Sequence, residues 1–261
     1  MAPTLAPPCA RIGDTGPMEE QLGGNASGAI RIGATVRKPW TPTAGRVAAL
    51  LDRLAGAGVD VPRHRGRDGY GRQVLEWIPG DAADRLPPLD VAGLSRVGRM
   101  IRAIHDASPT YDPLDGDWEV AIPAPAPDLI CHNDLAPWNL VVGERWVFVD
   151  WDGAGPSSRL WDLAYAAQSF TLNDTAEPPA EAAIRLRALV DGYDADEELR
   201  RSLPDAMRDR AAAMVELLEA SATSGRLPWS ALHDAGHTAH WIAARDHVGR
   251  HREVWARALR R

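Results

Sequence analysis

The sequence predicts an α+β chain, with short strands and one helix early and helices over most of the remainder. Three observations carry that expectation. Between residues 21 and 40, short β-prone runs alternate with glycine-containing turns. Between residues 140 and 149, two apolar runs flank Gly143-Glu144-Arg145, the length of a tight hairpin connection. From Glu181 onward, helical patterning covers roughly 181–192, 205–222 and 229–258, the last broken near Gly249.

Taken in order, residues 1–20 are rich in proline and alanine and read as a flexible lead-in. Gly23 to Gly28 is a loop of small residues, Ala29–Ile32 a strand, Gly33-Ala34 a turn, and Thr35–Lys38 a second strand. Small side chains such as Gly24 and Ser27 let backbone N–H groups approach phosphate oxygens, although an ordinary hairpin turn has the same composition. From Thr43 to Ala57, Val47, Leu50, Leu51 and Leu54 share one helical face. No glutamate occurs from Thr41 to Asp60, and Asp52 projects opposite the apolar stripe. Arg72 to Ile78 reads as a strand stopped by Pro79-Gly80. Asp90 to Ala107 is a core helix through Leu94, Val97, Met100, Ile101 and Ile104. Tyr111 to Pro127 is a proline-rich loop. Gly153 to Pro156 is a turn, with a helix starting at Arg159.

Composition narrows the function. The chain has 261 residues, 45% of them apolar, a net charge of −7 and a pI near 5.6, without basic runs. That balance argues against a nucleic-acid partner. No segment reaches membrane-span length and the first residues lack a secretory pattern, so the expectation is a cytoplasmic protein. Cys9 and Cys131 make neither a disulfide framework nor a metal quartet. Of 29 basic residues one is lysine, Lys38, which directs attention to its position.

The chemistry concentrates between Leu129 and Asp152. His132 and Asp134 stand two apart, Asn139 follows Asp134 by five, and Asp150 closes the second apolar run. A hairpin of that length returns Asp150 to the loop carrying Asp134 and Asn139. A base-like carboxylate then sits beside an amide and a carboxylate able to share a metal ion, the chemistry of phosphoryl transfer. A polar turn between buried strands is the plain alternative, and it accounts poorly for four polar groups in an apolar run.

The pattern H-x-D-x-x-x-x-N followed by Asp150-Trp151-Asp152 resembles the aminoglycoside phosphotransferase-like family of small-molecule kinases. It departs from protein kinases, which carry Asp-Phe-Gly there and an Ala-Pro-Glu segment that is missing from this sequence. The resemblance covers about Leu22 to Ala167. It implies a two-lobed protein-kinase-like fold, with a small antiparallel-sheet lobe over 21–78 and a larger, mostly helical lobe over 79–261. It implies ATP (or GTP) and Mg²⁺ as cofactors and a small hydroxylated molecule as acceptor. Asp134 would be the base and His132 a brace for its loop, with Asn139, Asp150 and Asp152 toward the metal. Lys38, or its neighbour Arg37 on the other side of the pleat, would steady the phosphates. The backbone around Trp77 and Ile78 would meet the adenine, with Leu140 among the nucleotide-binding residues. Asp162 would brace the catalytic loop's backbone.

Two rival readings stay open. The missing helix glutamate and the unusual glycine loop suit a nucleotide-binding pseudokinase, and the same metal site would serve phosphate-ester hydrolysis. His233, His237, His240, His247 and His251 share one side of an unbroken helix. A packed histidine face is favoured there over a metal site, since no H-E-x-x-H pattern accompanies it.

Overall fold

Antiparallel pairing builds the first sheet. In the computed structural model, which describes residues 19–22, 28–112 and 118–260, strands β1 (Glu19–Gln21), β2 (Ile30–Ile32) and β3 (Thr35–Lys38) lie side by side. Helix α1 (Ala44–Gly56) follows, then β4 (His64–Arg67) and β5 (Gln73–Glu76), giving the order β1-β2-β3-β5-β4. β4 was not expected from the sequence. Its His-Arg-Gly-Arg carries no apolar alternation, because it is an edge strand whose far side faces solvent.

The chain leaves this sheet through Trp77-Ile78-Pro79-Gly80 and enters the helical part with β6 (Asp81–Ala82) and α2 (Val91–Ala107). Asp90 caps α2, its side chain accepting from the Gly93 amide at 2.7 Å. β7 (Leu129–Cys131) leads into the stretch from His132 to Asp152, and β8 (Leu140–Val142) pairs with β9 (Trp146–Phe148) and with β6. The segment read as a turn at 153–156 contains a short strand, β10 (Gly155–Ser157), paired antiparallel with β7.

Helices complete the fold: α3 (Arg159–Thr171), α4 (Pro179–Tyr193), α5 (Glu197–Ser224), α6 (Trp229–Asp234), α7 (His237–Arg250) and α8 (Arg252–Leu259). α5 begins eight residues before the expected 205, capped by Asp196 and running through Pro204. The final stretch breaks twice, at Gly236 (φ +89°) and at His251. The first break undoes the histidine face: His233 pairs with Thr238 at 2.9 Å, His240 with Asn173 at 3.0 Å, and His247 packs on His251 and Trp255.

One buried cluster runs from Val47, Leu51 and Leu54 of α1 through Leu94 and Ile101 of α2 to Trp255 of α8. The small sheet's helix is thereby fastened to the larger helical body. Where α2 crosses α4, Gly98 meets Gly192 backbone to backbone: a Cβ on Gly98 would lie 2.1 Å from the Leu189 carbonyl oxygen. The hairpin turn between β8 and β9 packs as closely on the connector, since a Cβ on Gly143 would lie 2.5 Å from the Pro79 carbonyl oxygen. Its Arg145 reaches Glu76 at 2.8 Å and both carboxylate oxygens of Asp60. Among the described residues no helix is long and apolar enough to cross a membrane.

Candidate active site

The loop from His132 to Asn139 is shaped by residues that hold its backbone. Asn133 adopts φ +65° and Asp150 φ +60°, left-handed conformations that non-glycine residues keep only where neighbours impose them. Asp162, 1% exposed on α3, accepts the Asn133 amide N–H at 2.8 Å, and the Asn133 side chain donates to Gly153 and Gly155 carbonyls at 3.2 and 3.3 Å. This is the backbone brace that the family resemblance implies for Asp162. His132, fully buried, accepts the Asp134 amide on Nδ1 at 3.3 Å, which makes Nε2–H the donor to the Val149 carbonyl at 3.1 Å. One imidazole thus ties Asp134 to the residue before Asp150.

Asp134 sits at the end of this scaffold. Asn139 donates Nδ2 to its carboxylate at 2.7 Å and to its carbonyl at 3.0 Å, and the Tyr165 hydroxyl lies against the same carboxylate. Burial pushes the Asp134 carboxyl above the usual carboxylate range, with Asp150 adding like-charge repulsion and His132, Tyr165 and Asn139 pulling the other way. Asn139, itself 5% exposed, keeps its oxygen free of those two bonds, and its carbonyl accepts the Val149 amide at 2.8 Å.

Lys38 crosses from the small sheet to meet this group. Its ammonium lies 2.6 Å from Asp150 Oδ1 and 2.5 Å from Asp152 Oδ2, with the residue 6% exposed. Burial works against the charged form, but the two carboxylates outweigh it and raise the lysine above its ordinary value. Arg37, named beside it as a phosphate contact, does not face the acids. The strand's pleat turns it to Asp68 at 3.5 Å. Lys38→Ala should therefore weaken nucleotide affinity by at least about tenfold, a loss of roughly 1.4 kcal/mol, while Arg37→Ala has a smaller effect. Nucleotide titration ranks the two, and the reverse order would place the wrong cation in the cleft.

No carboxylate of α1 reaches Lys38 in the way the missing glutamate would; Asp52 is exposed, and Asp150 and Asp152 supply the counter-charge. The turn that carries them, Trp151–Gly153, packs directly beneath α1. Asn139, Asp150 and Asp152 offer oxygen donors, the kind Mg²⁺ takes. A second group, His105, Cys131 and Asp162, brings three potential ligand atoms within 4.8 Å. It is a hydrogen-bond cluster instead. His105 engages Tyr193 at 2.9 Å and Asp162 at 3.0 Å, and burial raises the Cys131 thiol well above its ordinary range.

At the connector, Ile78 is 3% exposed and Leu140 fully buried, while the Trp77 amide donates to the Ala34 carbonyl at 3.0 Å. The sheet takes the Trp77 N–H, so any adenine contact of Trp77 would have to use another atom. Gly24 and Ser27 lie outside the described residues. Sequence reasoning missed Tyr165, Arg210, His105 and Tyr193. The one signal available was position, since Arg210 and His105 fall within the apolar stripes of their helices.

Residues 115–199, which hold the whole span from His132 to Asp162, match the phosphotransferase enzyme family. No curated protein sequence matches the chain. Among solved structures, a choline/ethanolamine kinase family protein from Mesorhizobium loti is 20% identical, with a TM-score of 0.61 over 94% of each chain. An ethanolamine kinase from Plasmodium vivax is 10% identical, with a TM-score of 0.64 over 92% of this chain and 83% of its own. Amicoumacin kinase in complex with AMP-PNP, Ca²⁺ and Ami is 12% identical, with a TM-score of 0.60 over 87% of this chain and 88% of its own. The fold is the two-lobed kinase-like fold these proteins share.

Proposed function

From that family match and the site's geometry, we propose that the protein is a small-molecule kinase, moving the γ-phosphate of ATP (or GTP) to a hydroxyl. The acceptor would be a small amino or sugar alcohol; the neighbours' own names run from ethanolamine to amicoumacin. One observation carries the reading. Asp134, held by Asn139, stands within electrostatic reach of Asp150, and Asp150 shares Lys38 with Asp152. A group suited to a hydroxyl proton thus adjoins a group suited to phosphate charge.

In the proposed reaction Asp134 orients the acceptor hydroxyl and takes its proton, and its raised affinity for protons favours that transfer. The hydroxyl oxygen forms a bond to the γ-phosphorus as the bond to the β–γ bridging oxygen breaks, releasing the nucleoside diphosphate. Lys38 stays protonated and moves its charge toward the phosphates. His132 and Asp162 keep the loop from turning Asp134 away. Ile78 and Leu140 are buried, so they would back the base's pocket rather than touch the base. Asn139, Asp150 and Asp152 would hold Mg²⁺, which when bound neutralises phosphate charge. The pseudokinase alternative drew on the absent helix glutamate, an argument that loses weight where Lys38 has two other carboxylates.

Thermal shift with Mg²⁺-nucleotides, followed by turnover with a panel of hydroxylated amines, tests the proposal. Saturation at 100 times Kd adds about 2.7 kcal/mol, and a melt that no Mg²⁺-nucleotide moves would sink it. Asp150→Asn should keep the fold but raise the Mg²⁺ needed for nucleotide binding by at least about tenfold. Unchanged Mg²⁺ dependence would remove Asp150 from the metal.

A further inference from the structure

Helix α5 buries an arginine that no carboxylate pairs among the described residues. Arg210 is 5% exposed, and among the described residues it forms no ion pair. Arg200 on the same helix is equally buried but lies 2.7 Å from Asp191. An enclosed guanidinium is costly unless nearby groups replace its water. Here the replacements all lead to the catalytic loop. The guanidinium lies over the Tyr165 ring at 4.5 Å and the Trp161 ring at 5.8 Å. Nη2 donates to the Asn133 carbonyl at 3.4 Å, and Nη1 is enclosed without a partner. The charges of Asp134 and Asp162 both act on it across space.

Asn133 sets the direction of Asp134, because its left-handed backbone aims the next residue. The Asp162 carboxylate accepts its N–H and the Arg210 guanidinium donates to its C=O, so both polar ends meet groups of opposite sign. Tyr165, whose ring lies against Arg210, touches the Asp134 carboxylate directly.

We propose that Arg210 is a positioning residue for phosphoryl transfer, gripping the Asn133 carbonyl and the Tyr165 ring so that Asp134 stays aimed at the acceptor hydroxyl. Its catalytic consequence rests on the kinase reading; the grip on the loop does not. At 3.4 Å the Nη2 bond is long for N–H···O, and such bonds commonly tighten once substrate is bound.

The test uses Arg210→Met, which keeps length and apolar packing, and Arg210→Lys, which keeps charge but not the planar fork. Hydrogen–deuterium exchange on the full chain is read beside MgATP hydrolysis with water as acceptor. In Arg210→Met, amides over residues 129–139 should exchange at least about tenfold faster while α3 and α5 keep their protection. The melting temperature should stay within about 3 °C. The kcat for MgATP should fall at least about tenfold with KM within about twofold. Arg210→Lys should recover part of both losses. Unchanged exchange at 129–139, equal loss of protection through α3 and α5, or kcat and KM moving together would each overturn the proposal. If the wild type hydrolyses no ATP, the kinase reading is what fails, and the exchange arm still decides the grip.

Discussion

Asp134→Asn should retain Mg²⁺-nucleotide affinity and lose phosphoryl transfer by about 10²- to 10⁴-fold. The amide matches the carboxylate in shape, so Asn139 and Tyr165 keep a neighbour of the same size, and the backbone holds through His132 and Asp162 are untouched. What disappears is the ability to accept a proton from the acceptor hydroxyl. In the proposed reaction Lys38, Asp150 and Asp152 would form the phosphate and metal side, and the lysine pairs with both acids without that carboxylate. Nucleotide titration and turnover with an active acceptor separate the two effects. A variant with the full transfer rate would take Asp134 out of the chemistry.

Gly192→Ala should cost about 3 kcal/mol or more, lowering the melting temperature by roughly 6–12 °C. The added carbon would lie 2.1 Å from the Ser95 carbonyl oxygen and 2.7 Å from that residue's Cα, which are backbone atoms that cannot swing aside. The helices would have to separate where His105 of α2 meets Tyr193 of α4. Gly56→Ala is the control, because nothing lies within 4 Å of a Cβ there and α1 would gain helix propensity. Equal melts for the two variants would mean that α2 and α4 do not approach as closely as described.

The fold was legible where periodicity was strong. The stripe of α1, the β8–β9 hairpin and the core helix α2 fall within a residue or two of their expected bounds. It was illegible where tertiary context overrides local pattern. The expected helix starts near 205, yet the seven residues before Pro204 are already helical, because Asp196 caps the start and Leu203 and Pro204 are buried. β7 and β10 are three residues each and exist through their pairing with one another.

The site divides in the same way. His132, Asp134, Asn139, Asp150 and Asp152 lie close in sequence, so their spacing announces them. Lys38 stands out as the single lysine, and Asp162 comes from the family resemblance. Arg210, Tyr165, His105 and Tyr193 come from separate helices, and no linear spacing joins them. The place of Arg210 in the apolar stripe of α5 signals burial, but not which loop it meets.

The solitary lysine carries a chemical consequence. An amine acts as a nucleophile only when unprotonated, and the side chain of Lys38 is both shielded and held as ammonium by Asp150 and Asp152. Acylating or carbamylating agents, which elsewhere modify many amines, find one side-chain amine in this chain, in its least reactive state. Whatever neutralises those two carboxylates loosens that hold, so the chemical inertness of one amine becomes a gauge of the charge state of the cleft.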